Sequence, residues 1–252
     1  MQQQIEYFIV DLDGCVSEPF TSPNWHLISQ LRELSDRSIN DPDIPQLTIC
    51  TGRPAPYTEA VGQWLNVQLP VIFESGAGML NLNNQQLLWN PALPNHAKQV
   101  IDKVMHFITD LNKDFANIHP EISKQMDAGF TSDDTELISH LLPIFTDYVM
   151  QHCPELEVHS TPISMSALWP QANKGAGLHW LCEHLQTQAS AIAYIGDTSG
   201  DIPAMKYASI SFAPANANKE NKQLADKVTT GSATAGVLEA WLNLIQHNKS
   251  LL

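Results

Sequence analysis

The chain holds 252 residues, with 13 Lys and Arg against 27 Asp and Glu, a formal net charge of -14 at pH 7. That length suffices for one large domain or two smaller ones with a real hydrophobic core. The acidic balance, with no local cluster of basic residues to offset it, excludes nucleic acid and an anionic membrane surface as partners.

Two further expectations come from the chain as a whole. Residues 1–6 lack the basic n-region of a signal peptide, the apolar run that follows is too short for an h-region, and no run approaches the roughly 18 to 20 apolar residues of a membrane span, so a cytoplasmic protein is expected. Cys15, Cys50, Cys153 and Cys182 lie far apart with no C-x-x-C pair, so reduced thiols are expected rather than a zinc site or a redox dithiol.

In chain order, a short apolar strand (5–10) ends at Asp11. A helix over 26–37 follows, with Leu27, Ile28, Leu31 and Leu34 at spacings of three and four. Then come a strand (47–50), a helix (56–65) and a strand (71–73). Short apolar strands alternating with helices indicate a parallel sheet covered on both faces. The rhythm changes between 81 and 170. Asn- and Gln-rich turns at 81–86 lead to a helix near 96–112 and an extended polar stretch over 122–131. A further helix is capped by Ser132, Asp133 or Asp134, runs to about 151 and carries a kink expected at Pro143. Two strands follow (156–160 and 163–168). Beyond Asn173 the first rhythm resumes, with helices over 175–185, 202–207, 217–225 and 235–247 and strands over 191–195, 209–213 and 227–230. The expected architecture is a doubly wound, Rossmann-like parallel α/β core (1–80 and 171–252) with an inserted α+β cap (81–170).

Four short motifs fall at strand ends or helix starts. Asp11-Leu12-Asp13-Gly14 brings two carboxylates to the carboxyl edge of the sheet, where open α/β sheets bind ligands; alone, it reads equally as a strand end and a Gly turn. Cys50-Thr51-Gly52-Arg53 offers a hydroxyl and a guanidinium suited to phosphate oxygens, or an ordinary loop opening a helix. Lys174 stands at a helix N-terminus, where the macrodipole prefers an anion, so an anion between the lysine and the helix end would explain it; a solvated surface lysine is the alternative. Gly196-Asp197-Thr198-Ser199-Gly200-Asp201 adds two acids in an oxygen-rich setting suited to Mg²⁺, with Asp201 also serviceable as an N-cap.

Taken together and in this order, the four motifs resemble those of the haloacid dehalogenase (HAD) superfamily of phosphohydrolases. The position and size of the insertion resemble a type IIB (Cof-like) cap of the sucrose-phosphatase and mannosyl-phosphoglycerate-phosphatase kind. Glu74-Ser75-Gly76-Ala77 is similar to that branch's E-N-G-A segment, with Ser75 in place of Asn, and the ending from Ala213-Pro214-Ala215-Asn216 onward is similar too. In the first motif Cys15 and Val16 stand where the family often has Thr and Leu.

The resemblance implies Asp11 as a nucleophile forming an aspartyl-phosphate and Asp13 as general acid and base. It implies Thr51, Gly52, Arg53 and Lys174 around the phosphoryl oxygens, with Mg²⁺ held by Asp11, Asp197 and the backbone carbonyl of Asp13 and with Asp201 binding or orienting that shell. Glu74, Ser75 and Asn216 are candidate substrate or supporting residues. In the cap, Lys124, Gln125, His159, Ser164 and Ser166 are candidates to meet a polar substrate, with solvated surface as the alternative for each. The implied activity is hydrolysis of a small phosphorylated metabolite, a sugar phosphate or related ester. A phosphomutase of the phosphomannomutase type and a non-catalytic phosphometabolite-binding protein are the alternatives. Oligomeric state is not legible.

Overall fold

A computed structural model describes residues 3–19 and 21–251. The first stretch runs β1 (Tyr7–Val10), α1 (Trp25–Ser38), β2 (Gln46–Ile49), α2 (Ala55–Trp64), β3 (Val71–Phe73), β4 (Gly78–Asn81) and β5 (Gln86–Trp89). The middle stretch runs α3 (Ala97–Asp114), β6 (His119–Pro120), β7 (Asp127–Thr131), α4 (Thr135–His152), β8 (Glu157–Thr161) and β9 (Ser164–Leu168). The last runs α5 (Lys174–Leu185), β10 (Ile192–Ile195), α6 (Ile202–Tyr207), β11 (Ile210–Ala213), α7 (Lys219–Leu224), β12 (Lys227–Val228) and α8 (Ala233–Lys249). No helix among the described residues is long and apolar enough to cross a membrane.

The central sheet is parallel, in the order β12-β11-β10-β1-β2, and β3 joins its edge through a parallel bridge between Cys50 and Ile72. Its strands are apolar almost throughout because both faces are covered. Phe8, Val10, Ala193, Ile195 and Phe212 face one way, into a core shared with Leu31 of α1 and with Val237, Trp241 and Leu244 of α8. The alternate residues Ile9, Ile192 and Tyr194 face the other way, toward Leu178 and Leu181 of α5 and Met205 of α6. From β1 the chain winds outward through β2 in one direction, and from β10 through β11 and β12 in the other. The switch point therefore lies between β1 and β10, and a crevice opens at their carboxyl ends.

The middle stretch builds its own antiparallel sheet, in the order β6-β7-β9-β8. The strand residues Ala128, Phe130, Met165 and Ala167 pack against Val104 and Ile108 of α3 and Leu141 and Phe145 of α4. With period two, the intervening residues of β7, β9 and β8 fall on the opposite face. Asp134 is the residue that caps α4, accepting from Glu136 N and Leu137 N, and the helix runs through Pro143. The extended stretch expected over 122–131 narrows to β7.

A hairpin not anticipated from the sequence, β4–β5, pairs antiparallel beyond β3, and Trp89 packs edge-on against Phe73 with ring centroids 5.4 Å apart. Entry to the middle stretch and exit from it meet at one glycine. Asn90 donates its backbone N–H to Ala77 O and its side-chain amide to Gly76 O, while a Cβ at Gly76 would lie 2.6 Å from Asn173 O.

Candidate active site

Asp11 follows β1 directly, its N–H bonded to Ile195 O of β10 (3.1 Å), and its carboxylate is buried at the switch point. Lys174, the first residue of α5, is also buried, and its Nζ lies 2.8 Å from Asp11 Oδ1 and 2.6 Å from Asp201 Oδ1. Asn173 fixes that helix start by accepting from Ala176 N at 3.0 Å. Burial works against the Lys174 charge, but the Asp11 and Asp201 carboxylates outweigh it and hold the ammonium well above its ordinary range.

Asp201 is fully buried and fully used. Oδ1 accepts from Lys174 and from the Tyr194 hydroxyl (2.7 Å), and Oδ2 accepts from Asp197 N and Thr198 N (3.0 Å each) and from Thr198 Oγ1 (3.3 Å). It also stands outside the lining of the crevice. Of the two roles the sequence suggests for Asp201, binding or orienting the metal shell, these contacts display the orienting one: it holds Lys174 and the Asp197 backbone. Tyr194 was not singled out from the sequence, because a strand tyrosine reads as core until its hydroxyl is seen on a buried carboxylate.

Asp197 closes the group from β10. Its carboxylate stands over Gly14, where φ is +74° and a Cβ would come within 2.1 Å of Asp197 Oδ2. The other oxygen, Oδ1, is buried with no hydrogen-bond partner among the described residues. Burial, followed by the charges on Asp11 and Asp201, pushes Asp197 up to about 8. Burial likewise pushes Asp11 up to about 7, against the pull of Lys174. One ligand atom each from Asp11, Asp197 and Asp201 lies within 4.8 Å of the others. Uncompensated negative charge and an orphaned carboxylate oxygen fit a hard divalent cation, which takes one or two carboxylates and completes its shell with water and phosphate oxygens. Asp11 and Asp197 are the donors free to hold it.

Asp13 and Arg53 form a bidentate pair, Nε to Oδ2 at 2.6 Å and Nη2 to Oδ1 at 2.8 Å, with the guanidinium 5.0 Å from the Tyr57 ring centroid. Arg53 thus holds Asp13 with two of its five N–H donors while it lines the crevice. Thr51 lines the crevice with Gly52, and its Oγ1 accepts from Arg53 N at 3.2 Å, which leaves the hydroxyl proton to donate.

Glu74 and Ser75 take left-handed backbone angles, φ 46° and 57°. Ser75 reaches the crevice but Glu74 does not. The buried Glu74 carboxylate instead accepts from Gln125 N (3.0 Å) and Met126 N (2.6 Å), tying the end of β3 to the loop before β7. Burial outweighs those donors and pushes it up to about 7. Its candidacy as a substrate contact is corrected on that ground, and Gln125, held by its backbone there, also lies outside the crevice. Asn216 borders the crevice while its amide bridges Gly14 O (2.8 Å) and Ala233 N (2.8 Å). Cys15 and Cys50 are buried, and burial raises both thiols, so neither is a ready nucleophile.

The crevice encloses about 510 Å³ and continues from these groups to the second sheet, where it is lined by Glu121, Lys124, Asp127, Thr131, His159, Ser164 and Ser166 among others. Lys124, His159, Ser164 and Ser166 were candidates from the sequence. Glu121 and Asp127 were not, although their spacing of three on either side of Lys124 was the available signal.

A family model for haloacid dehalogenase-like hydrolases matches residues 104–241, more than half of the chain. The chain belongs to this family. The HAD hydrolase is similar over nearly its full length to proteins named phosphoglycolate phosphatase. The Methanopyrus kandleri protein is 24% identical over 242 residues, covering 95% of this chain and 97% of that one; the Natronomonas pharaonis protein is 25% identical, covering 92% and 94%. Among solved structures it shares its fold with Thermoplasma acidophilum 0175 (TM-score 0.76, 16% identity, 96% and 99% of the two chains). It shares it also with the sucrose-phosphatase of Synechocystis sp. PCC6803 (TM-score 0.63, 17% identity, 96% and 98%). The HAD hydrolase is thus a phosphatase of this family, with a crevice at the switch point of its parallel sheet.

Proposed function

We propose that the protein is a Mg²⁺-dependent phosphatase acting on a small phosphorylated metabolite of the sugar-phosphate kind, through an aspartyl-phosphate on Asp11. The observation that carries this reading is the buried Asp11–Lys174–Asp201 arrangement beside the orphaned Asp197 oxygen. Mg²⁺, held by Asp11 and Asp197, would neutralise the charge between a carboxylate and an anionic phosphoryl group. Lys174 holds Asp11 Oδ1, which leaves Oδ2 to attack phosphorus as the bond to the leaving oxygen breaks. Lys174 also keeps one N–H for a phosphoryl oxygen, and the Thr51 hydroxyl supplies another donor. Asp13, once it exchanges an Arg53 contact for a proton from solvent, gives that proton to the leaving oxygen and then takes one from the water that hydrolyses the acyl phosphate, releasing inorganic phosphate and restoring Asp11.

We read residues 1–90 and 171–252 as the catalytic core and 91–170 as a cap that covers the crevice and excludes bulk water, the cap starting ten residues later than the sequence suggests because β5 pairs with β4. Purified protein incubated with Mg²⁺ and a panel of sugar phosphates should release inorganic phosphate. EDTA should stop the reaction and Mg²⁺ restore it, and Asp11→Asn should lower turnover on the order of 10³-fold or more. An isomerised sugar phosphate in place of free phosphate would indicate a mutase, and Mg²⁺-dependent binding without turnover a binding protein; either result would overturn the proposal.

A further inference from the structure

The half of the crevice remote from Asp11 is a sheet face. In β7, β9 and β8, Gly129 stands opposite Ser166 and Ser166 opposite His159, while Thr131, Ser164 and Thr161 form the next row. Asp127 lies at the far end of β7 on the same face. Above this face sits a buried ammonium, Lys124, with its Nζ 2.8 Å from Glu121 Oε2 and 2.8 Å from Asp127 Oδ2. Gly129 makes room for the cluster, since a Cβ there would lie 2.9 Å from Glu121 Oε2 and 2.9 Å from Ser166 Oγ.

Two features of the cluster point to a ligand. One cation between two carboxylates leaves a net negative charge. Asp127, only 1% exposed, has an oxygen, Oδ1, with no partner among the described residues. Lys124 in turn has no third acceptor there for its remaining N–H. One free acceptor beside one free donor matches an alcohol, which both donates and accepts; a carboxylate only accepts, and it would face a like charge. The rest of the crevice offers no compensation. Each lysine or arginine that lines it among the described residues is already held by carboxylate: Arg53 by Asp13, Lys174 by Asp11 and Asp201, Lys124 by Glu121 and Asp127.

We infer that the Glu121–Lys124–Asp127 cluster selects phosphomonoesters whose leaving group presents neutral hydroxyls and rejects those whose leaving group carries a carboxylate. The inference rests on the phosphatase reading of the same crevice and narrows it, setting this chain apart from what the name phosphoglycolate phosphatase says of its relatives.

Matched pairs of esters test it: glycerol 3-phosphate against 3-phosphoglycerate, and 2-hydroxyethyl phosphate against 2-phosphoglycolate, each differing by a hydroxymethyl for a carboxylate. The wild-type kcat/KM should favour the alcohol member of both pairs by about tenfold or more. Glu121→Gln and Asp127→Asn each remove one negative charge and should narrow that ratio severalfold, mainly through KM. The ratio is internal to each preparation, so a lowered fraction of folded protein cancels. Equal or better turnover of the carboxylate esters by the wild type, or a ratio unmoved in both variants, would overturn the inference while leaving the phosphatase reading intact. No turnover of any ester, p-nitrophenyl phosphate included, would end both.

Discussion

Gly14 and Lys174 carry the most consequence per atom. Any side chain at position 14 meets Asp197 Oδ2 at 2.1 Å in a left-handed backbone conformation, so Gly14→Ala should displace that carboxylate. Mg²⁺-dependent turnover is expected to fall by about 10²-fold, in line with losing a single preorganised group, and calorimetry should show a matching loss of Mg²⁺ affinity. Lys174→Met leaves Asp11 and Asp201 buried beside each other without a counter-charge. Urea unfolding should show it destabilised by about 3 to 5 kcal/mol, the range for a broken buried ion pair. Asp11, Lys174 and Asp197 were legible in the sequence because each sits in a short motif at a strand end or helix start. The work of Arg53, Glu74 and Asn216 was not. Their partners, Asp13, Gln125 and Gly14, lie 40, 51 and 202 residues away, and a motif displays a side chain without its partner.

Among elements, the joint between β3 and the loop before β7 has a pH signature. With Glu74 pushed up to about 7 from an ordinary 4.5, the folded state binds its proton more tightly than the unfolded chain does. The resulting stabilisation is complete below about 4.5 and is lost as pH rises through about 7. Glu74→Gln should flatten the melting temperature over that window, and thermal scans of both proteins from pH 4 to 8 would read the difference; parallel curves would contradict the assignment. Buried parallel strands announced themselves as short apolar runs, so β1, β2, β3 and β10 were placed within two residues. The β4–β5 hairpin escaped because Gln86-Leu87-Leu88-Trp89 is four residues long and half exposed, with no period strong enough to read. The polar face of β7 and β9 is half legible: Ser164 and Ser166 stand out in the sequence, but the spacing of Glu121 and Asp127 about Lys124 reads as a solvated run until the fold buries it.

For the molecule as a whole, the charge of -14 that argues against anionic partners is compatible with an anionic substrate, because Lys174 and Thr51, with the proposed cation, would set the local field at the switch point. The same excess of carboxylate costs stability when no cation is present. Asp11 and Asp197, at about 7 and 8 against an ordinary 3.8, give stability that is complete below 3.8 and lost as pH rises through 7 and 8. In EDTA the melting temperature should fall from pH 6 to pH 8.5, and Mg²⁺ should raise it more at pH 8.5 than at pH 6, since binding to N alone stabilises by mass action. An equal Mg²⁺ shift at both pH values would contradict this linkage.

The crossing at Gly76 bears on how the chain assembles during synthesis. β1 must wait for β10, because the two are neighbours in the sheet yet almost the whole excursion separates them. Residues 91–170 emerge after β1 and before β10 and have an apolar core of their own, and their two ends come together where Asn90 and Asn173 meet Gly76. Once that layer has folded, closing the central sheet spans a short tether instead of about eighty loose residues, which lowers the entropic barrier by about 2 kcal/mol. A glycine between Ser75 of the crevice and the Asn173 cap thus lets the two halves of the active site, made far apart in time, find each other.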